Sequence, residues 1–412
     1  MKVDAERLWA RVEELGAIGA TADGGVSRIG YSAEETAAME RVGRWMTSAG
    51  LGVHYDPAGN LIGRRAGQRR KTIVLGSHLD TVPNGGRFDG ALGVLAALEA
   101  VETLLEAGTS HEHSIEIIAF RDEEGACFGR GLVGSRLASG TFNLAAWSDA
   151  RSIDGRTIRH VLAAAGLDLE RAVSEAPREP SSLAAYLELH IEQGEVLESG
   201  GKRLGVVSGI VGITRYQVRF MGRADHAGAT PMNLRRDALL CAAGFVQLVG
   251  AQARAAGRGL VATVGRLLVD PNIANVIPGR VVASFEVRAL ESEQIKSVVE
   301  AVIVATEELG RKHDIEVVFE RTVQTAPLLT TPHVIHALES ACTALEVPFQ
   351  VMPSGGGHDA MLMGTIAPFG MLFVPSRRGI SHAPDEYTAP DDCALGAQVL
   401  LDTLILLDKG SS

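Results

Sequence analysis

Short runs of branched and apolar residues alternate with helical-period segments along the first half of the chain. Thr72–Ser77 (TIVLGS) reads as a strand, Ala91–Glu106 as an alanine-rich helix and Ser114–Phe120 (SIEIIAF) as a second strand. Further strands are expected at Ala185–Leu189 and Met371–Val374, with a closing helix from Asp392 to Leu407. This alternation predicts an α/β fold with a mostly parallel sheet flanked by helices, because parallel strands need crossovers and are buried on both faces.

Between residues 210 and 321 the pattern changes. Strand Ile213–Phe220, a helix near Arg235–Arg254, strands Leu260–Val269 and Arg280–Arg288, helix Ser292–Leu309 and strand Ile315–Glu320 follow one another. The order β-α-β-β-α-β is that of a ferredoxin-like α+β unit. Residues 210–321 are therefore expected to form an inserted domain, and residues 1–209 and 322–412 the main one. The Gly-containing stretch 206–212 (VVSGIVG) and the segment Arg321–Leu329, which carries Pro327, are the expected hinges.

Composition narrows the class. The 412 residues exceed the roughly 250–300 at which single cores stop growing. Fifty acidic against 39 basic residues give a formal charge of −11, which argues against binding phosphate backbones or anionic membranes. Cys127, Cys241, Cys342 and Cys393 are widely separated and form no CxxC pair, so neither a disulfide framework nor a thiolate metal site is expected. No stretch approaches the roughly 18 uninterrupted apolar residues of a membrane span, and the N-terminus reads as an amphipathic helix. The expectation is a cytoplasmic protein with a small-molecule partner, binding neither nucleic acid nor membrane.

Four motifs carry chemistry. In GSHLDTVPNGGRFDG (76–90), His78 and Asp80 share one face of an extended segment, and Asp89 follows a Gly-rich turn at the mouth of the next helix. In FRDEEGACFG (120–129), adjacent Glu123 and Glu124 suit a division of labour, one binding a metal ion and the other moving a proton. LELHIEQGEVLE (187–198) places His190 at a strand end before Gln193, and RRGISHAPDEYT (377–388) puts His382 in a loop after a strand. Singly, these residues read as caps, solvated turns or structural histidines; together they fall at strand ends of one predicted sheet, where open α/β folds bind ligands. Imidazole and carboxylate donors suit a hard or borderline metal ion. The Gly-rich turn at 76–90 holds no GxGxxG or Walker pattern, so it does not read as a phosphate loop.

The set GSHLDTV, FDGALGV, DEEG, ELHIEQG, DHAGATPM, NVIPG, SGGGHDA and PSRRGISHAP resembles the amidase/hydantoinase-carbamoylase branch of the di-metal aminopeptidase-like hydrolases. The resemblance runs from about residue 28 to 390. It implies two divalent metal ions per subunit (Zn, Mn, Co or Ni), with Asp89 bridging, His78 and His190 on one ion, and Glu124 and His382 on the other. It implies that Asp80 orients His78, that Glu123 is the general base, and that His226 stabilises an oxyanion across a homodimer formed through residues 210–321, which also act as a lid. It further implies substrate contacts from Gln193, Asn275, Arg288 and, in the GGGHDA loop, His358.

The implied activity is metal-dependent hydrolysis of the linear C–N bond of an N-carbamoyl-L-amino acid or related ureido acid. Alternatives are an allantoate or ureidoglycolate amidohydrolase, a β-ureidopropionase, an aminoacylase or dipeptidase, and a non-catalytic α/β protein binding a small anion. One departure bears on specificity: the family pattern EEGSRF is EEGACF here, with Cys127 in place of Arg. A small buried residue or a reactive thiol are the two readings of Cys127.

Overall fold

The computed structural model describes residues 1–257 and 259–410, so residue 258 and the last two residues of the expected segment 322–412 lie outside the described residues. The chain divides into two compact units. The first holds Met1–Ser208, Thr330–Met352 and Gly356 onward; the second holds Gly209–Leu329 with Pro353–Gly355.

The strands in chain order are β1 (Gly52–Tyr55), β2 (Leu61–Arg65), β3 (Thr72–His78), β4 (Ser114–Phe120), β5 (Leu183–Ile191) and β6 (Leu204–Ile210). Then come β7 (Gly212–Met221), β8 (Asp225–His226), β9 (Leu260–Thr263), β10 (Leu267–Asp270), β11 (Val276–Ile277), β12 (Arg280–Ala289), β13 (Glu316–Thr325) and β14 (Leu328–Leu329). The last two are β15 (Phe349–Ser354) and β16 (Phe369–Val374).

In the first unit the sheet order is β1-β2-β4-β3-β5-β16-β6, with β15 beside β6. Its centre, β4-β3-β5-β16, is parallel throughout, and antiparallel strands flank it. Every residue of β3, β4 and β16 is buried, as expected of strands covered on both faces. Along β5 the side chains split by parity: Leu187, Leu189 and Ile191 enter the main core with helices Ala91–Glu106 and Pro390–Gly410, while Tyr186, Glu188 and His190 lie on the opposite face. Helix Ala91–Glu106 has the predicted bounds and is buried almost all round, which makes it the centre of that core.

The second unit has sheet order β10-β12-β7-β13, with β9 also on β12, and is antiparallel. Helices Ala238–Ala256 and Ser292–His313 bury Phe245, Val249, Ile295 and Val302 against Phe220, Val281, Phe285 and Val287. This is the ferredoxin-like arrangement, and three details differ from the sequence pattern. The expected strand Leu260–Val269 is two strands, β9 and β10, which pair with opposite ends of β12. Strand β13 runs on to Thr325 through a register shift between Arg321 and Val323, so a bulge broke the alternation that would have revealed it. The expected hinge at 206–212 is largely strand β6, and the passage between units falls within it, after Ser208. Helix Ala238–Ala256 is long and apolar enough to cross a membrane by length and composition, yet its buried side chains belong to this core.

Candidate metal centre

The carboxyl ends of the four central parallel strands converge on one group of side chains in the first unit. His78 is the last residue of β3, Glu123 and Glu124 follow β4, His190 is the penultimate residue of β5, and His382 sits in the loop after β16. Asp89 opens the turn into helix Ala91–Glu106. Gly90, with φ +64°, makes that turn, and a Cβ there would lie 2.3 Å from the His78 ring.

Asp89 is the hub. Its Oδ1 lies 3.1 Å from His190 Nε2 and 3.6 Å from His78 Nε2, and its Oδ2 lies 3.3 Å from His382 Nε2. Glu124 Oε1 is 3.3 Å from the same His382 nitrogen. His78, Asp89 and His190, and separately Asp89, Glu124 and His382, each gather donor atoms within 4.8 Å of one another. Glu123 Oε2 stands beside them, 3.8 Å from His78 Nε2. Glu188, His190 and His358 form a third such group. It competes for one atom: His190 Nδ1 is engaged by the Ile191 carbonyl at 2.9 Å, which leaves only Nε2.

The ring orientations come from the main chain. His78 Nδ1 lies 3.1 Å from the Asp80 carbonyl and 3.4 Å from its Oδ1, so its Nε2 is aimed at Asp89. The Asp80 carboxylate accepts the backbone N–H of Glu123 and of Glu124, each at 3.0 Å, and so fixes both glutamates. Gln193 and His382 are both held at left-handed φ, +58° and +57°. Gln193 is locked there by Ser376 Oγ, which accepts from its N–H at 3.0 Å, while its own amide donates to Asp89 Oδ2 at 2.7 Å.

Electrostatically this is a buried pocket of opposed charge. Burial pushes the Glu123 carboxyl well above the usual range, and Glu124 adds to the push. Burial also raises Glu124. Burial works against ionised Asp89, but His190, His382 and His78 outweigh it and hold the carboxyl well below its usual range. The His382 imidazole, hydrogen-bonded to Asp89 and Glu124, is pushed up to about 10. Burial opposes charge on His78, yet Glu123, Asp80 and Glu124 raise it well above 6.5. Asp89 Oδ1 and Glu124 Oε1 are buried and accept no well-aligned hydrogen bond. Orphaned anionic oxygens ringed by imidazoles fit a cation better than they fit one another, and the donor set is nitrogen and oxygen without thiolate.

Some contributors escaped the motif reading. Glu386 is buried; its Oε1 accepts from the N–H of Phe88 and of Asp89 at 2.9 and 3.1 Å, and its Oε2 from Ser381 Oγ at 3.0 Å. Ser381 Oγ also lies 2.8 Å from Asp89 Oδ2. Glu386 thus ties the Asp89 turn to the His382 loop. The segment APDEYT contains it, but its burial depends on a turn 300 residues upstream. Glu188, beneath His190, accepts from Ser77 Oγ, Tyr186 OH and Ala360 N. His358 is buried with its ring edge-on to His190, 4.4 Å between centroids. Burial and then His190 push its pKa well below 6.5, so it is neutral. Cys127 packs with Phe128, Trp147 and Ile158 in a small satellite core, where burial pushes its thiol up to about 12; it is a packing residue.

His226, Asn275 and Arg288 belong to the second unit. His226 pairs with Val276 across the β8–β11 ladder, and Ala227 N donates to the Asn275 carbonyl at 3.0 Å, so these two sit side by side. His226 Nδ1 accepts from Gly228 N and Ala229 N at 3.0 and 3.1 Å, which places the ring proton on Nε2 and makes that atom a donor. Arg288, on β12, donates to Glu286 Oε1 at 2.6 Å and to the Gly355 carbonyl at 2.7 Å.

Comparison with known proteins gives a consistent outcome. The model of peptidase family M20/M25/M40 matches residues 74–405. An N-carbamoyl-L-amino acid amidohydrolase of Geobacillus stearothermophilus is 43% identical, covering 99% of this chain and 100% of that protein. An allantoate amidohydrolase of Bacillus subtilis (strain 168) is 35% identical over 96% of each. Among solved structures, an amidase of the hydantoinase/carbamoylase family from Burkholderia multivorans superposes with a TM-score of 0.92 at 36% identity, covering 98% of both chains.

Proposed function

The chain belongs to peptidase family M20/M25/M40, a family of metal-dependent hydrolases, and on that premise we propose that it hydrolyses the linear C–N bond of an N-carbamoyl-L-amino acid. The observation that carries this reading is the Asp89 hub, with an imidazole-bearing donor group on each of its two oxygens and Glu123 beside it but outside both groups.

His78, Asp89 and His190 would hold one divalent ion, and Asp89, Glu124 and His382 a second; Zn, Mn, Co and Ni all suit these donors. Bound there, such ions supply Lewis acidity, which acidifies a bound water and polarises a carbonyl. Glu123, made more basic by burial, accepts the proton of the attacking water and returns it to the departing nitrogen. His226 Nε2–H donates to the developing oxyanion. Arg288 and Asn275 bind the substrate carboxylate, with the planar guanidinium as its charge partner. Overall, water and the N-carbamoyl amino acid give the amino acid, carbon dioxide and ammonia. The chain acts as a homodimer through the second unit, whose helices leave Leu240, Val246 and Val304 exposed beside well-filled interior positions.

The test is a substrate panel: N-carbamoyl-L-amino acids, allantoate, ureidoglycolate, N-carbamoyl-β-alanine and N-acyl amino acids. Fastest turnover of an N-carbamoyl-L-amino acid, with the free α-amino acid as product, supports the reading. Preference for any of the other substrates replaces it with the corresponding amidohydrolase or acylase.

A further inference from the structure

Residues 1–73 lie outside the stretch that the family model matches, yet part of them is folded against the loops that carry the candidate ligands. Val26 and Gly85 exchange both backbone hydrogen bonds, at 2.9 and 2.8 Å. Arg28 N donates to Thr81 Oγ1 at 2.9 Å, and Thr81 N donates back to the Arg28 carbonyl at 2.9 Å. The Arg28 side chain is completely buried. Its Nε donates to the Leu79 carbonyl at 2.7 Å, and its Nη1 to the carbonyls of Leu15 and Ile18 at 3.1 and 3.2 Å. Leu79 is the residue between His78 and Asp80. The acidic groups facing the guanidinium are Asp80, Glu35 and Glu386.

Glu35 makes a second clamp. Ser32 caps the helix, its Oγ accepting from Glu35 N, and Glu35 Oε2 reaches back past the cap to accept from Tyr31 N. The same oxygen pairs with Arg121 Nε at 3.0 Å, and Oε1 faces Asp122 N at 3.4 Å. Arg121 also donates to Thr36 Oγ1 at 2.9 Å and stacks over Tyr31. Arg121 and Asp122 are the two residues immediately before Glu123. Gly30 admits the Asp122 side chain, since a Cβ there would fall 2.3 Å from its Oδ1.

A completely buried guanidinium costs several kcal/mol to desolvate, and core packing alone would be served as well by an apolar side chain. Arg28 turns its Nε to the Leu79 carbonyl, between His78 and Asp80, and Glu35 holds Arg121 and the Asp122 N–H, just before Glu123. We propose that Arg28 and Glu35 are positioning residues of the metal centre: Arg28 sets the His78–Asp80 segment through the Leu79 carbonyl, and Glu35 sets the Glu123–Glu124 turn through Arg121 and Asp122. This rests on the reading of the site as a metal centre.

The test titrates Co²⁺ into the metal-free full-length protein, comparing wild type with Arg28→Lys and Glu35→Gln. Arg28→Lys keeps the charge but loses the fork of donors, and Glu35→Gln keeps the shape and an acceptor; each tests its own half, and Arg28→Gln, which keeps a donor for the Leu79 carbonyl without the buried charge, stands in if Arg28→Lys does not fold. Each folded variant is expected to bind Co²⁺ about 10–100-fold more weakly and to shift its visible absorption band. Steady-state turnover should lose kcat with little change in KM. Wild-type affinity and an unshifted band in the folded variants would overturn the proposal. Absence of Co²⁺ binding by the wild type would overturn the metal-centre reading itself.

Discussion

At the scale of single residues, the site is a set of acids and bases whose pKa values are pushed apart by burial and proximity. Glu123 lies outside both donor groups and touches His78 from the side, so its removal should leave cation binding intact. Glu123→Gln is expected to lower kcat by about 10²–10⁴ while leaving metal affinity within a few-fold; loss of metal binding in equal measure would contradict its separate role. The histidines give a second prediction. A metal-binding imidazole must be neutral, whereas His382 is held up at about 10 and the pKa values of His78 and His190 are raised as well. Metal uptake should therefore release protons, and apparent affinity should rise from pH 6 to pH 9. Calorimetry in buffers of different ionisation enthalpy measures this directly, and a pH-independent affinity would contradict it.

At the scale of elements, what matters is how strands and turns deliver those residues. The Gly90 turn has no room for a side chain, so Gly90→Ala should displace His78 and weaken metal binding at least tenfold while the fold persists by circular dichroism. The C-terminal helix is anchored by Asp408, whose carboxylate accepts from Glu112 N, His113 N and the His113 ring. Burial opposes its ionisation, but these donors hold its pKa below the usual range. Its stabilisation is thus present above about pH 4 and is lost as the pH falls through the depressed pKa. Asp408→Asn should cost about 1–3 kcal/mol in urea denaturation at pH 7, with the difference shrinking in acid.

Legibility follows the same division. Helix Ala91–Glu106 and strand Ser114–Phe120 were readable because their pattern is local. The histidines and carboxylates that gather around Asp89 were readable because they sit in compact motifs. Arg28, Glu35 and Glu386 were not, since each acts across tens to hundreds of residues and looks in sequence like an ordinary turn or cap charge. The end of β13 was hidden by its bulge, and the break between β9 and β10 by a continuous apolar run.

At the scale of the whole molecule, two independently cored units divide the proposed labour: the first carries the metal ligands and the base, the second the oxyanion donor and the carboxylate partner. If a homodimer shares sites, mixing inactive His226→Ala and Glu123→Ala proteins should restore part of the activity, because half-intact sites reassemble in mixed dimers; no recovery in confirmed mixed dimers would contradict sharing. On the proposed function, catalysis depends on divalent cations held around Asp89. The most direct measurement strips the protein with chelator, verifies removal by elemental analysis, and follows turnover of an N-carbamoyl-L-amino acid as a single divalent ion is returned. Turnover should be lost on stripping and recover fully at two equivalents per chain; undiminished turnover by the verified metal-free protein would contradict a metal-dependent reaction.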